Sequence, residues 1–116
     1  MAHLVACLST GKGTWLEISA LITAYNWDSV FLIANNFGKE NFKPKSNTKL
    51  IIIEPEKSIA EIKNTIYQEL KNKVSGDVAI NFSSGSGKEH MALMSAIMQL
   101  GIGIRLITFD KEIKEI

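Results

Sequence analysis

The clearest candidate for a binding site in this chain of 116 residues is a run of mostly small polar residues, Asn81-Phe-Ser-Ser-Gly-Ser-Gly-Lys88. It follows an apolar segment and precedes a helical pattern, which predicts a strand, a turn and a helix. A Ser/Gly turn that enters a helix offers backbone N–H groups and the positive end of the helix dipole to an anion. The turn therefore predicts an anion pocket, or else a tight corner in which Ser86 and Glu89 only cap the helix.

A second turn, Ser9-Thr-Gly-Lys-Gly-Thr14, has the same character and also follows an apolar segment. If the two preceding strands are parallel neighbours, both turns leave the same edge of the sheet and share one pocket. Asn35, at the end of another apolar segment, is expected to add an amide contact. The predicted ligand-binding residues are Ser9, Thr10, Gly11, Lys12, Gly13, Thr14, Asn35, Asn81, Ser83, Ser84, Gly85, Ser86, Gly87 and Lys88.

Two well-known phosphate motifs do not match these turns. A Walker A loop has a glycine where Phe82 stands and a Ser or Thr where Glu89 follows the lysine. The dinucleotide fingerprint fails because Gly11-Lys12-Gly13 lacks the third glycine. His90 is a candidate general base or base-edge contact, although a packed histidine is the commoner state at such a position. With one cysteine and two distant histidines, neither a metal site nor a cofactor is expected.

Alternating apolar and amphipathic segments predict the elements that position the turns. Apolar runs predict five strands, at Leu4–Leu8, Val30–Ala34, Leu50–Ile53, Asp77–Phe82 and Ile104–Phe109. Capping patterns and helical spacing predict three helices, which begin at Thr14 (with Glu17 as its capping partner), at Ser58 and near Gly87. The last helix is apolar nearly all round and is expected to be substantially buried. Residues 110–116 read as a charged tail.

This order of elements predicts an α/β protein with one domain over residues 1–116. We expect a Rossmann-like three-layer sandwich, with a five-stranded, mainly parallel sheet and helices on both faces. Right-handed crossovers favour the strand order 3-2-1-4-5, in which strands 1 and 4 are central neighbours.

The composition and the net charge of the chain limit the classes of binding partner that are expected. The formal net charge is +1, from 13 basic and 12 acidic side chains, which predicts no general attraction to long nucleic acid or to acidic membranes. No apolar run reaches the roughly 18–20 residues that span a bilayer, and the first residues do not resemble a signal peptide. Cys7 is the single cysteine and forms no intrachain disulfide. A soluble, cytoplasmic protein is expected.

The segment from Ile80 to Met91, with its helix and the Gly-Ile-x-Ile strand after it, resembles the second signature of CARF domains, the CRISPR-associated Rossmann-fold sensors. That signature is a hydrophobic strand, then Asn or Asp followed two residues later by Ser or Thr, glycines, a further Ser or Thr, a Lys or Arg, and a helix rich in Met and Ala. The residues that match in kind are Asn81, Ser83, Gly85, Ser86, Lys88 and Met91. Ser9–Thr14 is placed like the other ligand loop of that family. The spacing from Asn81 to Lys88 is one residue longer than the usual spacing.

The resemblance implies a homodimer that binds a cyclic oligoadenylate across its two-fold axis, in antiviral defence. Many members of the family continue into an effector, which for this sequence would be another chain. Some members also cleave the ring without a metal, by aligning a ribose 2′-hydroxyl with its neighbouring phosphate. Carried onto this sequence, the catalytic candidates are Ser9, Thr10 and Lys88.

Two alternatives stay open. Ser84-Gly-Ser-Gly-Lys-Glu89, followed by a helix and a strand that ends at Thr108, also resembles the phosphate loop of sugar-isomerase (SIS) domains. In those domains, hydroxyl groups hold a sugar phosphate. The other alternative is a structural or interaction protein in which both turns are only corners.

Overall fold

The protein is an α/β structure, described by a computed structural model that covers residues 2–8 and 15–116. Its strands are β1 (His3–Cys7), β2 (Ser29–Ala34), β3 (Thr48–Ile52), β4 (Asp77–Asn81), β5 (Gly103–Asp110) and β6 (Glu112–Glu115). Its helices are α1 (Trp15–Ala24), α2 (Asn36–Asn41), α3 (Ile59–Leu70) and α4 (Gly87–Leu100). None of these helices is long and apolar enough to cross a membrane.

The strands form one mixed sheet in the order β3-β2-β1-β4-β5-β6. The first five strands run parallel, and β1 pairs with both β2 and β4. The α/β class with helices on both faces is confirmed and is broadly compatible with a Rossmann-like fold. The sheet has six strands and not the predicted five. The predicted order 3-2-1-4-5 is present, and β6 is added beside β5 as an edge strand.

The additional strand is the segment that we predicted to be a charged tail. Lys111 has a positive φ of 67°, which lets the chain reverse directly after β5. β6 then pairs antiparallel with β5, and Ile113 lies opposite Phe109. Ile113 also packs against the apolar core, and Glu115 forms an ion pair with Arg105 at 2.8 Å. The segment predicted to be a charged tail is therefore an edge strand with one apolar residue packed on the core.

The core lies in two layers, one on each face of the sheet. Along β1, Leu4 and Ala6 face α1, whereas Val5 and Cys7 face α3 and α4. β1 is buried along its whole length, and in β4 Val78, Ile80 and Asn81 are buried, so these two central strands lie between the two layers. The predicted core face of α1 is confirmed for Trp15, Ile18, Leu21 and Ile22. Tyr25 is 54% exposed, beyond the end of α1, and packs against Trp27 with the two ring planes tilted by 54°.

The last helix, α4, is less buried than its apolar residues predicted, because only one side of it is buried. Ala92, Leu93, Ala96 and Ile97 are buried against α3 and the sheet. Met91 and Met98 are 60% and 72% exposed on the opposite side. One side of α4 packs on α3 and the sheet, so the side that carries Met91 and Met98 stays exposed.

Candidate functional site

The candidate site is the edge of the sheet at the carboxyl ends of β1 and β4. These strands are parallel neighbours, with Leu4 opposite Ala79 and Ala6 opposite Asn81. Chain segments that follow them must therefore leave the sheet side by side. The segment after β4 is fully described, and we refer to residues 82–86 as the β4–α4 turn. Six predicted site residues after β1 lie outside the described residues: Ser9, Thr10, Gly11, Lys12, Gly13 and Thr14.

Asn81 ends β4 and organises the turn behind it. It is only 2% exposed. Its Nδ2 donates to Glu17 Oε2 at 3.1 Å and to the Ile107 carbonyl oxygen at 2.9 Å. Its Oδ1 accepts a hydrogen bond from the Ser83 backbone N–H at 3.0 Å. Both amide hydrogens and the amide oxygen are thus engaged inside the protein. Asn81 therefore fixes the shape of the turn and joins β4 to both α1 and β5.

Glu17 places its carboxylate at this site. From the sequence, that carboxylate was expected to cap α1. Its Oε2 accepts from Asn81 and from the Ser83 hydroxyl. The spacing of Glu17 from Thr14 suggested a local role, and nothing in a single sequence indicates a partner more than 60 positions away. The consequence is electrostatic, since a carboxylate at this edge disfavours an anion placed directly over Ser83.

Gly85 is the residue that lets the turn approach β1 closely. Its φ is +96°, a value that favours glycine. A Cβ atom at this position would lie 2.7 Å from Cys7 Cβ and 3.2 Å from both Glu89 Oε1 and His90 Nε2. The turn therefore packs directly on the central strand. Burial, and to a lesser extent the charge of Glu89, raise the pKa of the Cys7 thiol, so Cys7 stays protonated and is a poor nucleophile.

Ser86 and Glu89 form the capping box that the sequence predicts at the start of α4. Ser86 Oγ accepts from the Glu89 backbone N–H at 3.2 Å, and Glu89 Oε1 accepts from the Ser86 N–H at 2.6 Å. Within the described part of the chain, the backbone N–H groups of Gly87 and Lys88 have no hydrogen-bond acceptor. These two donors lie at the positive end of a 14-residue helix. The cap therefore leaves room for an anionic group at the helix start.

The side chains of Lys88 and His90 are both engaged by backbone carbonyl groups. Lys88 Nζ donates to the Pro55 carbonyl oxygen at 2.7 Å, in the connection between β3 and α3. His90 Nε2 donates to the Ser84 carbonyl oxygen at 2.8 Å, and the imidazole stacks on Phe82 with ring centroids 4.6 Å apart. His90 is thus a packed histidine that secures the turn. Lys88 Nζ is held at the connection between β3 and α3 by this hydrogen bond to Pro55.

Asn35 lies at the end of β2, at the same edge of the sheet. Its Oδ1 accepts from the Gly38 backbone N–H at 3.1 Å and caps α2. The predicted ligand contact of Asn35 stays a prediction. Among residues 2–8 and 15–116, no three His, Cys, Asp or Glu side chains come together in a way that could hold a metal ion.

The described residues bring together a turn, a helix start and two carboxylates. Ser83, Ser84, Gly85, Ser86, Gly87 and Lys88 all lie in the turn or in the first turn of α4, as predicted. The groups that remain open to a ligand are backbone N–H donors, and the side chains mainly hold them in place. Such an arrangement can bind two oxygen atoms of one phosphate group, without a nearby cation to neutralise their charge. Comparison with the models of known protein families and with curated proteins finds no match to this chain.

Proposed function

We propose that the protein is a CARF-like sensor that binds a cyclic oligoadenylate, as a homodimer, at the carboxyl edge of its sheet. The observation that best supports this proposal is the pair of Gly87 and Lys88 backbone N–H groups at the start of α4, which have no acceptor among the described residues. Glu17 of α1 is hydrogen-bonded to both Asn81 and Ser83, so the start of α1 and the end of β4 are held together. This tie fixes the turn that precedes α4, so a phosphate group at the helix start meets donors that are already in position.

The proposed phosphate contacts are the N–H groups of Gly87 and Lys88. They lie at the amino end of α4, where the helix dipole favours negative charge. Glu89 keeps its carboxylate on the Ser86 N–H, on the side of the turn that faces Cys7. A bound phosphate therefore meets the helix start from the solvent side, and Lys88 adds its charge if its ammonium group leaves Pro55.

The exposed side of α4 supports the homodimer. Met91 and Met98 expose apolar side chains on α4, the helix that begins at the proposed site. Leu106 of β5 is also exposed. Methionine side chains adapt readily to a second surface. A two-fold symmetric ligand needs the same turns from two subunits, and an isologous contact through α4 brings two such turns towards one axis. We therefore infer that a second copy of this chain covers the surface formed by Met91, Met98 and Leu106.

The proposal covers ligand binding, and metal-independent cleavage of the ring stays a prediction. Of the three candidates for ring cleavage, Lys88 is held by Pro55, and Ser9 and Thr10 lie outside the described residues. A cytoplasmic location, a role in antiviral defence and a separate effector chain belong to the same proposal.

Titration calorimetry with cyclic tetra-adenylate, cyclic hexa-adenylate and their linear forms tests the ligand class. We expect saturable heat with one cyclic form, at one ring per two chains. Heat with a sugar phosphate and none with either ring would contradict the proposal and favour an SIS-like function. Incubation of the protein with the bound ring in EDTA separates receptor from enzyme, since linear products would show that the site also cleaves.

A further inference from the structure

The opposite edge of the sheet, at the amino ends of its strands, holds a buried histidine that the proposed function does not use. His3 begins β1 and lies beside Ser29, the first residue of β2. Side chains alternate along β1, so His3 shares a face with Val5 and Cys7, the face covered by α3 and α4. Although it sits at the end of a strand, His3 is only 6% exposed.

Of the two imidazole nitrogens of His3, only Nδ1 has a hydrogen-bond partner among the described residues. Its Nδ1 is hydrogen-bonded to Ser29 Oγ at 2.5 Å. With the Ser29 hydroxyl as donor, neutral His3 carries its hydrogen on Nε2, and the imidazolium also has a hydrogen there. No group in residues 2–8 and 15–116 accepts a hydrogen bond from Nε2. A buried donor without a protein acceptor indicates an external one.

His3 lines an open cavity of about 530 Å³ between the carboxyl-terminal ends of α3 and α4. Lys71 and Lys73 lie on its rim, and Leu100 and Ile102 form an apolar wall. Lys71 has no carboxylate partner among the described residues. Lys73 shares the single carboxylate of Glu69 with Lys49, at distances of 4.0 Å and 3.6 Å. His3, whose Nε2 has no acceptor among the described residues, thus borders a cavity with excess positive charge at its lysines.

We propose that this cavity binds the phosphate group of a small organic phosphate, with His3 Nε2–H as the buried donor and Lys71 and Lys73 as counter-charges. The organic part of the ligand packs against Leu100 and Ile102. Ser29 is a positioning residue, because its hydroxyl keeps the hydrogen of His3 on the nitrogen that faces the ligand. The site is separate from the proposed oligoadenylate site, since the two lie at opposite ends of the parallel strands.

The test is an NMR titration of the whole chain with inorganic phosphate, read on the nitrogen-15 signals of the imidazole rings. The chain has two histidines, His3 near this cavity and His90 at the start of α4, so one spectrum reports both sites. A His90→Gln variant assigns the two sets of signals. We expect a saturable shift of the His3 Nε2 signal. The double substitution Lys71→Ala and Lys73→Ala should weaken that response about tenfold, because it removes both counter-charges.

The matched control is the double substitution Lys39→Ala and Lys43→Ala, which removes the same charge from exposed positions near α2 and should leave the response unchanged. Ser29→Ala should weaken binding while the protein stays folded. Three results would overturn the proposal: an unmoved His3 signal, equal affinity in the Lys71/Lys73 variant, or an equal response to acetate. A shift confined to His90 would also overturn it and would place phosphate at the start of α4.

Discussion

Two helices of this protein begin with the same pattern, Ser-x-x-Glu, and both form a complete capping box. At α3, Glu61 Oε1 accepts from the Ser58 N–H at 3.2 Å, and Ser58 Oγ accepts from the Glu61 N–H at 3.1 Å. At α4, the equivalent distances are 2.6 Å and 3.2 Å. The local geometry is nearly the same, whereas the surroundings differ. The Glu61 side chain is 59% exposed, and Glu89 is 8% exposed.

The difference follows from the strand that precedes each helix. α3 follows β3 at the edge of the sheet, so Glu61 faces solvent and Lys57. α4 follows the central strand β4, so Glu89 is enclosed by the turn at Gly85. One motif therefore gives an ordinary helix start at the edge and part of a candidate ligand site at the centre. In α/β sheets, the position in the sheet decides which helix start meets a ligand.

Among the substitutions that distinguish the two helix starts, Gly85→Ala has the largest expected effect on the free energy of unfolding. The substitution forces a side chain into a left-handed conformation and places its Cβ 2.7 Å from Cys7 Cβ. We expect a loss of about 3 kcal/mol in the free energy of unfolding, from backbone strain together with overpacking. Denaturant unfolding measures it. Gly87→Ala is the control, because its Cβ meets nothing within 4 Å. Equal stability of both variants would show that the turn does not pack on β1 as described.

Glu89→Ala compared with Glu61→Ala gives the next largest difference. Removal of the Glu89 side chain leaves the partly buried Ser86 N–H without its acceptor, and we expect a loss of about 2 kcal/mol in unfolding free energy. At Glu61, water replaces the carboxylate, so the loss should be clearly smaller. Thermal or denaturant unfolding of the two variants measures the difference. A larger loss at Glu61 would contradict the role of burial.

The smallest effect concerns pH and the exposed cap. Hydrogen bonds from the Ser58 backbone and hydroxyl, with Lys57 nearby, hold the pKa of Glu61 below its ordinary value of 4.5. Because the pKa is lowered in the folded protein, the cap stabilises α3 above that ordinary value and loses its effect as the pH falls through the lowered pKa. NMR titration of the Glu61 carboxyl carbon measures the pKa, and Ser58→Ala should raise it. A wild-type pKa at or above 4.5 would refute this.

Much of the fold could be predicted from patterns that depend on neighbouring residues. Apolar runs located the five parallel strands, and Ser86 with Glu89 located the start of α4. The capping pattern is local, so a single sequence contains all of it. The edge strand β6 was missed because charged residues outnumber the apolar Ile113 at its centre, and its pairing depends on the reversal at Lys111.

The contacts of the site could not be predicted in the same way. The bonds from Glu17 to Asn81 and Ser83, from Lys88 to Pro55 and from His3 to Ser29 join residues that are 26 to 66 positions apart. Such contacts depend on which strands become neighbours, and on side-chain directions that no local spacing encodes. The residue types in the β4–α4 turn indicated a binding edge. Which of them hold the turn, and which remain open to a ligand, required the three-dimensional structure.

The most direct test of the proposed site is the affinity for cyclic tetra-adenylate and cyclic hexa-adenylate of two variants at one position. Gly87→Ala retains the backbone N–H, whereas Gly87→Pro removes it at the first position of a helix, where proline is well tolerated. Ser86 has an extended conformation, with φ −104° and ψ 164°, that a following proline accepts. If this N–H binds a phosphate group, calorimetry should show wild-type affinity for the alanine variant and about tenfold weaker binding for the proline variant. Equal affinities of the two variants for the ring that binds, or no binding of either ring by the wild-type protein, would contradict a ligand site at the start of α4.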